Sequence, residues 1–338
     1  MSELLPDRVN RRKFLGNASA LGAASLLGLS RIAWAEPPPE VRKIRLVDLY
    51  GICLAPWYVA EDLLRLEGFS EVEYVAMQQN TAPDMLLANR ADITAWTPAG
   101  LLPDLDAGKP FLALAGVHGG CYELFVHDSV RTVRDLKGKR VAVSAIGSAE
   151  YYFIASMVAY VGVDPRKDID WVVTSWDGMI EAFVERKVDA VLAFPPQPYD
   201  LRKRKAGRTL INTGQDRPWR QFVCCMITAR NAFVSKYPVA TKRAVRAILK
   251  ASDLCAQQPE RVARYLVAKG NESHYDVALE VLKSLSYDRW RTYNAEDSLR
   301  FFGVRLHEAG LIKSNPQTLI AQGTDWRFLN ELKKELKA

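Results

Sequence analysis

The sequence has no apolar run after Leu29 that approaches the length of a membrane span. A transmembrane helix needs about 20 consecutive, mostly apolar residues, and polar or charged residues interrupt the chain long before that length is reached. At the same time, 49% of the 338 residues are hydrophobic, which excludes a disordered chain. We therefore expect a soluble globular protein after the N-terminal segment.

The motifs of common catalytic and metal sites are also absent. The four histidines form neither H-x-x-x-H nor H-E-x-x-H, which excludes the usual zinc-protease signature. No G-x-S-x-G occurs, which excludes the nucleophile motif of α/β-hydrolases. The glycine-rich segment Gly116–Gly120 lacks the G-K-[ST] ending of a phosphate-binding loop. The sequence thus predicts no catalytic residue, no metal ligand and no cofactor.

Cysteine is scarce, and its spacing does not indicate a disulfide framework. The chain has five cysteines, an odd number, and none of them forms a C-x-x-C pair. A scaffold held together by disulfides is not expected at this length. The adjacent Cys224 and Cys225 are predicted to be small buried residues on a core strand.

Positive charge is concentrated at the N-terminus. Residues 1–35 contain five basic and two acidic residues, so their removal lowers the net charge from +7 to +4. The remaining dense cluster comprises residues 202–205 and Arg208, beside a turn at Gly207. A solvated helix end explains this cluster better than nucleic-acid binding does. We therefore expect no nucleic-acid partner.

Residues 1–35 contain the three parts of an export signal in the expected order. Arg11 and Arg12 precede a weakly hydrophobic run from Ala18 to Leu29, and the small-x-small sequence Ala33-Trp34-Ala35 follows. Paired arginines before such a run are typical of the twin-arginine route, which exports folded protein. A membrane-anchoring helix is the less favoured alternative, because the run is too short. We predict a periplasmic protein whose mature chain starts near residue 36.

An internal repeat indicates the fold. Residues 72–98 match residues 169–195 in the order strand, capped helix, basic helix end, strand and proline. Asn80 and Asp177 occupy equivalent positions in the two copies and are predicted to be helix N-caps.

Further segments extend the repeat upstream. Residues 44–68 and 141–162 each contain a strand followed by a helix, and Ser148 is the predicted N-cap of the second helix. Each half is therefore predicted to be βαβαβ, the pattern of a mostly parallel sheet flanked by helices.

Two such halves predict an α/β protein with two lobes. The roughly 303 residues after the export signal exceed what a single core usually supports. We assign residues 40–123 and 228–338 to the first lobe and residues 124–227 to the second. The chain would cross between the lobes twice, leaving a cleft that can close around a small molecule by hinge motion.

Ligand contacts are expected at the carboxyl ends of the strands. Ligands of open parallel sheets bind there, and helix N-termini add free N–H groups. Large aromatic side chains are mostly buried, so some of the predicted aromatic contacts are expected in the core instead. The predicted contacts are Trp57, Gln78, Asn80, Trp96, Thr97, Gly147, Ser148, Ala149, Tyr151, Trp176 and Phe194.

The chain resembles a known family over residues 43–258. The most specific stretches are Ala55–Ala60 (APWYVA) and Val133–Val141 (VRDLKGKRV). They resemble the nitrate/sulfonate/taurine class of periplasmic solute-binding proteins of ABC importers, which overlaps with the thiamine-pyrimidine-synthase-like domain. The resemblance implies a type II two-lobe binding fold, no enzymatic activity, and delivery of a small-molecule ligand to a permease in the inner membrane. We expect a monomer.

The composition of the predicted rim limits the class of ligand that is expected to bind. The predicted rim comprises residues 54–57, 78–80, 96–98, 146–151, 175–177 and 194–197. These segments contain several aromatic residues and two carboxylates, Glu150 and Asp177, but no lysine or arginine, and Asp48 ends the first strand. This favours a planar, nitrogen-containing organic molecule over nitrate or bicarbonate, which bind best to cations or converging N–H groups. A sulfonate-type solute stays open, since Gly147–Ala149 offers helix N–H groups. The alternatives are a pyrimidine-synthase-like enzyme of the same superfamily and a periplasmic sensor.

Overall fold

The computed structural model describes residues 36–77 and 81–337, and from Pro38 onward the chain forms one compact unit. The predicted export signal and two of the predicted ligand contacts, Gln78 and Asn80, lie outside the described residues. Within the described ranges, no helix is both long enough and apolar enough to cross a bilayer.

Strands and helices alternate through the first two thirds of the chain. The strands are β1 (Lys43–Asp48), β2 (Glu71–Ala76), β3 (Ile93–Trp96), β4 (Phe111–Gly119), β5 (Glu123–Val126), β6 (Arg140–Val143), β7 (Asp170–Val173), β8 (Ala190–Ala193), β9 (Arg208–Asn212) and β10 (Val223–Arg230).

Helices separate these strands and then form the C-terminal third. The α-helices are α1 (Ala55–Leu66), α2 (Ala82–Leu87), α3 (Pro98–Asp106), α4 (Ala149–Tyr160), α5 (Trp176–Val184), α6 (Gln197–Lys203), α7 (Asn231–Lys236), α8 (Pro238–Gln257), α9 (Pro259–Ala268), α10 (Tyr275–Ser284), α11 (Ala295–Glu308), α12 (Pro316–Gln322) and α13 (Arg327–Glu335). Short 3₁₀ helices span Ile52–Leu54, Val133–Leu136, Trp219–Gln221 and Asp288–Arg291.

The strands form two five-stranded sheets. The first has the order β2-β1-β3-β10-β4, and the second has the order β7-β6-β8-β5-β9. In the first sheet β1 pairs in parallel with β2 and β3, while β10 is antiparallel to both of its neighbours. In the second sheet β6 pairs in parallel with β7 and β8, while β5 is antiparallel to β8 and β9. The predicted α/β fold with two lobes, each built on a mostly parallel sheet, is confirmed.

One of the helix N-caps predicted from the repeat is confirmed and another is wrong. Ser148 is the N-cap of α4, and its hydroxyl accepts a hydrogen bond from the Tyr151 N–H at 3.3 Å, as predicted. Asp177 is not the cap of α5. The hydroxyl of Ser175 accepts from the Gly178 N–H at 3.2 Å, which places Asp177 inside the first turn, where its charge complements the helix dipole.

The first copy of the repeat uses a different cap from the predicted Asn80. Helix α2 starts after Thr81, whose side chain accepts from the Asp84 N–H. In return the Asp84 carboxylate accepts from the Thr81 N–H at 3.0 Å. This reciprocal capping box satisfies two N–H groups of the helix start at once.

The chain crosses between the sheets twice, between β4 and β5 and again between β9 and β10. By sheet membership, Glu123 lies in the second sheet and the whole of β10 lies in the first. The predicted boundary at residues 227 and 228 therefore falls inside β10, because that strand already pairs with β4 from Val223 onward.

The C-terminal helices cover the first sheet and also contact the second lobe. Helix α8 packs against α1, and α11 packs against both α3 and α4. The ring centroids of Phe302 on α11 and Phe153 on α4 lie 4.8 Å apart. The stacked rings of Phe301 and Phe222 extend this aromatic contact with a centroid distance of 4.2 Å. The lobes are thus joined by packed side chains as well as by the two crossings.

Candidate functional site

The two lobes meet where β1 and β8 end. Gly51, three residues after β1, lies against the ring of Phe194, the residue that follows β8. A Cβ atom on Gly51 would lie 2.8 Å from a ring carbon of Phe194, and the φ angle of Gly51 is +106°. Only glycine satisfies both conditions without strain. The carboxyl ends of the parallel strands β1 and β8, one from each sheet, therefore face the same space, as expected of a ligand cleft.

Apolar side chains are exposed around this space. Tyr50 follows β1 and is 77% exposed, Ile146 follows β6 and is 58% exposed, and Trp176 starts α5 and is 39% exposed. The Trp176 ring stands perpendicular to the Phe194 ring at a centroid distance of 5.3 Å. Single exposed apolar residues are common, but several at the carboxyl ends of strands from both sheets indicate a binding surface.

A carboxylate lies beside this surface. Asp48 is the last residue of β1 and is solvent-exposed, and within the described part of the chain it has no hydrogen-bond or ion-pair partner. Partial desolvation raises the pKa of Asp48 above its ordinary value. The neighbouring Tyr58 hydroxyl donates to the carbonyl of Leu49, which holds the strand end in place. A charged group with no protein partner in a cleft is suited to a cationic or hydrogen-bond-donating ligand.

The N-terminus of α4 contributes the second-lobe side of the site. Gly147 is exposed with a φ of +92°, and Ser148 and Ala149 are half-buried. Glu150 is fully buried, and its carboxylate accepts hydrogen bonds from the backbone N–H of Ser144 at 2.7 Å and from the Ser144 hydroxyl.

The second carboxylate oxygen of Glu150 is buried and has no hydrogen-bond partner among the described residues. A carboxylate therefore already occupies the positive end of this helix. It opposes the binding of an anion there, since like charges repel strongly where water is excluded.

Three of the predicted contacts are buried side chains that pack or form hydrogen bonds within the protein. Trp57 is not on the rim but fully buried, and its indole N–H donates to the carbonyl of Val47 at 2.9 Å. Tyr151 is buried, with its ring centroid 4.7 Å from that of Trp171. Thr97 is buried as the N-cap of α3.

The structure brings the other described contacts to strand or helix ends near the cleft. Trp96 is half-buried at the end of β3, and its indole N–H donates to Asp104 at 3.0 Å. Gly147, Ser148, Ala149, Trp176 and Phe194 surround the second-lobe side. All of these residues stay predicted contacts.

Sequence reasoning missed two features of this region. Tyr50 was not among the predicted contacts, although its place two residues after the first strand is a signal that could have found it. Cys53, His118 and Cys121 form a buried group whose ligand atoms lie within 4.8 Å of one another, so they could hold a metal ion. A hydrogen bond with Cys121 lowers the pKa of Cys53 to about 6, although burial acts in the opposite direction.

Solved structures similar to this chain belong to periplasmic binding proteins. The nitrate-binding protein NrtA from Synechocystis PCC 6803 has a TM-score of 0.70 at 16% identity, covering 89% of this chain and 90% of that one. The alkanesulfonate-binding protein SsuA from Xanthomonas axonopodis pv. citri, bound to MOPS, has a TM-score of 0.68 at 17% identity, with coverage of 86% and 99%. The aliphatic sulphonate binding protein SsuA from Escherichia coli has a TM-score of 0.63 at 17% identity, with coverage of 83% and 91%. At these identities the similarity shows the fold.

No curated protein matches the sequence. A family model described as NMT1/THI5 like matches residues 55–262, which is more than half of the chain. The family resemblance seen in the sequence is confirmed by this match and by the structural neighbours. The chain belongs to the NMT1/THI5-like family and has the two-lobe α/β fold of periplasmic binding proteins.

Proposed function

We propose that this protein is the solute-binding component of an ABC importer and that it binds a small, planar, nitrogen-containing organic molecule between its lobes. The observation that carries the proposal is the carboxylate of Asp48, which has no hydrogen-bond or ion-pair partner among the described residues, together with the exposed aromatic side chains of Tyr50 and Trp176 at strand and helix ends. An aromatic face and a carboxylate together recognise a flat molecule with N–H groups or a positive charge. The family and the fold support the importer role.

The charge of the site favours such a ligand over an anion. The similar proteins named above bind nitrate or sulfonates, but here Asp48 and Glu150 place two carboxylates at the cleft, and no lysine or arginine occurs in the predicted rim segments. If a bound anion lay about 4 Å from one of these carboxylates, the two charges would repel by about 4 kcal/mol at an effective dielectric constant of 20. That penalty is comparable to half the binding free energy of a micromolar complex, about 8 kcal/mol.

Ligand capture would proceed by closure of the lobes. The first crossing comprises only residues 120–122, the second comprises residues 213–222, and Gly51 and Phe194 already touch across the cleft. Rotation about the crossings would bring Trp176 and Ile146 of the second lobe toward Tyr50 and Asp48 of the first. The exposed aromatic rings would then lose contact with water, which supplies the driving force for closure.

The remaining parts of the proposal concern the cellular context. The protein would act in the periplasm as a monomer, after export by the twin-arginine route, and would deliver its ligand to an inner-membrane permease without changing it chemically. The periplasmic binding proteins among its structural neighbours support the location and the role.

Native mass spectrometry of freshly purified protein tests whether the protein leaves its ligand chemically unchanged. We expect one small mass that is retained unchanged when the same compound is added back to protein freed of ligand. Conversion of the added compound to a product of different mass would instead support the enzyme alternative.

Calorimetric titration tests the ligand class. Protonated aminopyrimidines and imidazoles are the test compounds, and nitrate and taurine are the anionic controls. We expect binding of at least one cationic ring and none of the anions, with Asp48→Asn abolishing the preference. Asp170→Asn is the matched control, because Asp170 is an exposed aspartate at the amino end of β7, whereas the predicted ligand contacts lie at the carboxyl ends of the strands. Tight binding of nitrate or taurine by the unchanged protein would contradict the proposed ligand class.

A further inference from the structure

Four buried side chains from three distant parts of the sequence converge beside the crossings between the lobes. Cys53 lies in the 3₁₀ helix after β1, and His118 lies near the end of β4. Cys121 lies in the first crossing segment, and Cys224 lies near the start of β10, next to the residue that pairs with His118. All four are at least nine-tenths buried.

The distances between these groups are short. The two thiol sulfurs and the ring nitrogen of Cys53, Cys121 and His118 lie within 4.8 Å of one another. The sulfur of Cys224 lies 3.2 Å from that of Cys121. A tetrahedral zinc ion with Zn–S bonds of about 2.3 Å separates its ligand atoms by about 3.3–3.8 Å. Cys53, His118 and Cys121 therefore lie close enough to share an ion after side-chain adjustment, and Cys224 joins the group through its contact with Cys121.

The imidazole of His118 has the orientation of a metal ligand. Its Nδ1 atom donates to the carbonyl of Gly119 at 2.7 Å, so in the neutral ring the Nε2 atom carries the lone pair. That Nε2 atom is buried and has no hydrogen-bond partner in the described part of the chain. A backbone carbonyl that fixes the tautomer of a ligating histidine is a common feature of metal sites.

We propose that Cys53, His118, Cys121 and Cys224 bind one Zn²⁺ ion as a closed, tetrahedral site. Three thiolates and one imidazole match the donor set of structural zinc sites, and four protein ligands leave no position for a substrate. Binding releases the thiol protons to solvent and involves no oxidation or reduction. The site does not depend on the ligand proposed for the cleft.

Such an ion would connect the first lobe to both crossings. It would link the turn after β1, through Cys53, to the first crossing through Cys121 and, through Cys224, to the start of β10, where the second crossing ends. Cys121 also borders a cavity of about 510 Å³, lined by Glu123, Arg202, Asp216 and Glu280 among others, which gives an ion a route from solvent. The expected role is to stabilise the segments about which the lobes turn.

Zinc titration of the full chain tests the proposal. The protein is purified under reducing conditions, stripped with a chelator and titrated with Zn²⁺ in competition with a chromophoric chelator, with elemental analysis for stoichiometry. We expect one equivalent of tightly bound zinc and a higher melting temperature in its presence. With Co²⁺ as the probe, the unchanged protein should show thiolate-to-cobalt charge-transfer bands and the intense visible bands of a tetrahedral site.

Variants identify the ligands. Cys53→Ser and Cys224→Ser should each weaken zinc binding by about 100-fold or more, since even residues behind the ligands commonly change affinity by 10–100-fold. Cys255→Ser is the matched control, because Cys255 is an equally buried cysteine on α8. It should bind zinc as the unchanged protein does.

Three results would overturn the zinc site. The first is a reduced, unchanged protein that binds no zinc and gives only the weak spectrum of octahedral cobalt. The second is an equal loss of affinity in Cys255→Ser. The third is a Cys121–Cys224 disulfide, found by peptide mapping of protein that is purified without reductant and contains no metal. Because the cobalt spectrum is recorded on the unchanged protein, the test holds even if a variant fails to fold.

Discussion

Replacement of Trp176 by alanine is expected to weaken ligand binding much more than it weakens folding. The side chain is 39% exposed at the start of α5, and its described ring contact is the perpendicular one with Phe194. Loss of that aromatic pair should lower the free energy of unfolding by about 0.5–1.5 kcal/mol. The exposed part of the ring is free to contact a ligand.

The size of the binding effect follows from that exposed area. A tryptophan buries up to about 250 Å², so 39% exposure leaves about 100 Å² for a ligand to cover. At about 25 cal/mol per Å² this area contributes about 2.5 kcal/mol. We therefore expect a loss of about 1–3 kcal/mol, equivalent to a 5- to 150-fold increase in Kd.

Calorimetric titration measures the affinity, and thermal unfolding measures the stability of the same preparations. Tyr160→Ala is the control, because Tyr160 is also a partly exposed aromatic residue, at the far end of α4. It should leave the affinity unchanged. If Trp176→Ala retains its affinity while its melting temperature falls sharply, Trp176 supports the fold and does not contact the ligand.

Three further predictions concern a cap, a carboxylate and the export signal. Ser148→Ala should lower the free energy of unfolding by about 1 kcal/mol in a urea titration, since the cap of α4 is lost; an unchanged midpoint would show that the cap contributes nothing. Because desolvation raises the pKa of Asp48, affinity for a cationic ligand should fall on acidification at a higher pH than an ordinary aspartate would give, and Asp48→Asn should remove this dependence in calorimetry. The double variant Arg11→Lys and Arg12→Lys should leave precursor in the cytoplasm on fractionation, whereas normal export would indicate the general secretory route.

The sequence contained enough information to predict the sheets. Both copies of the βαβαβ repeat were recognised because alternating strands and helices differ in their hydrophobic period, and the order of these elements decides which strands pair. Ser148 was predicted correctly as a cap because it stands alone before its helix. For α5, Ser175 is as good a candidate for the N-cap as Asp177, which follows two residues later, and sequence preference does not separate the two.

The site was harder to predict because it depends on which way each side chain points. Trp57 follows the proline at the start of α1, and only packing shows that its indole turns back toward β1 to reach the Val47 carbonyl. In the group formed by Cys53, His118 and Cys121, only His118 and Cys121 are close in sequence, three residues apart. Cys53 comes from a distant segment, and one H-x-x-C pair is too little for the sequence motifs of metal sites to detect.

Because Gly51 contacts Phe194, residue 51 affects how far the lobes can close in the proposed binding cycle. The backbone at residue 51 sets how near the end of β1 can come to the end of β8. Any side chain at residue 51 would clash with the Phe194 ring and hold the two strand ends apart. It would favour the open form and lower the fraction of molecules that can bind a ligand. Apparent affinity falls in proportion to that fraction. A single methyl group at residue 51, which need not touch the ligand, would then lower the apparent affinity for the solute.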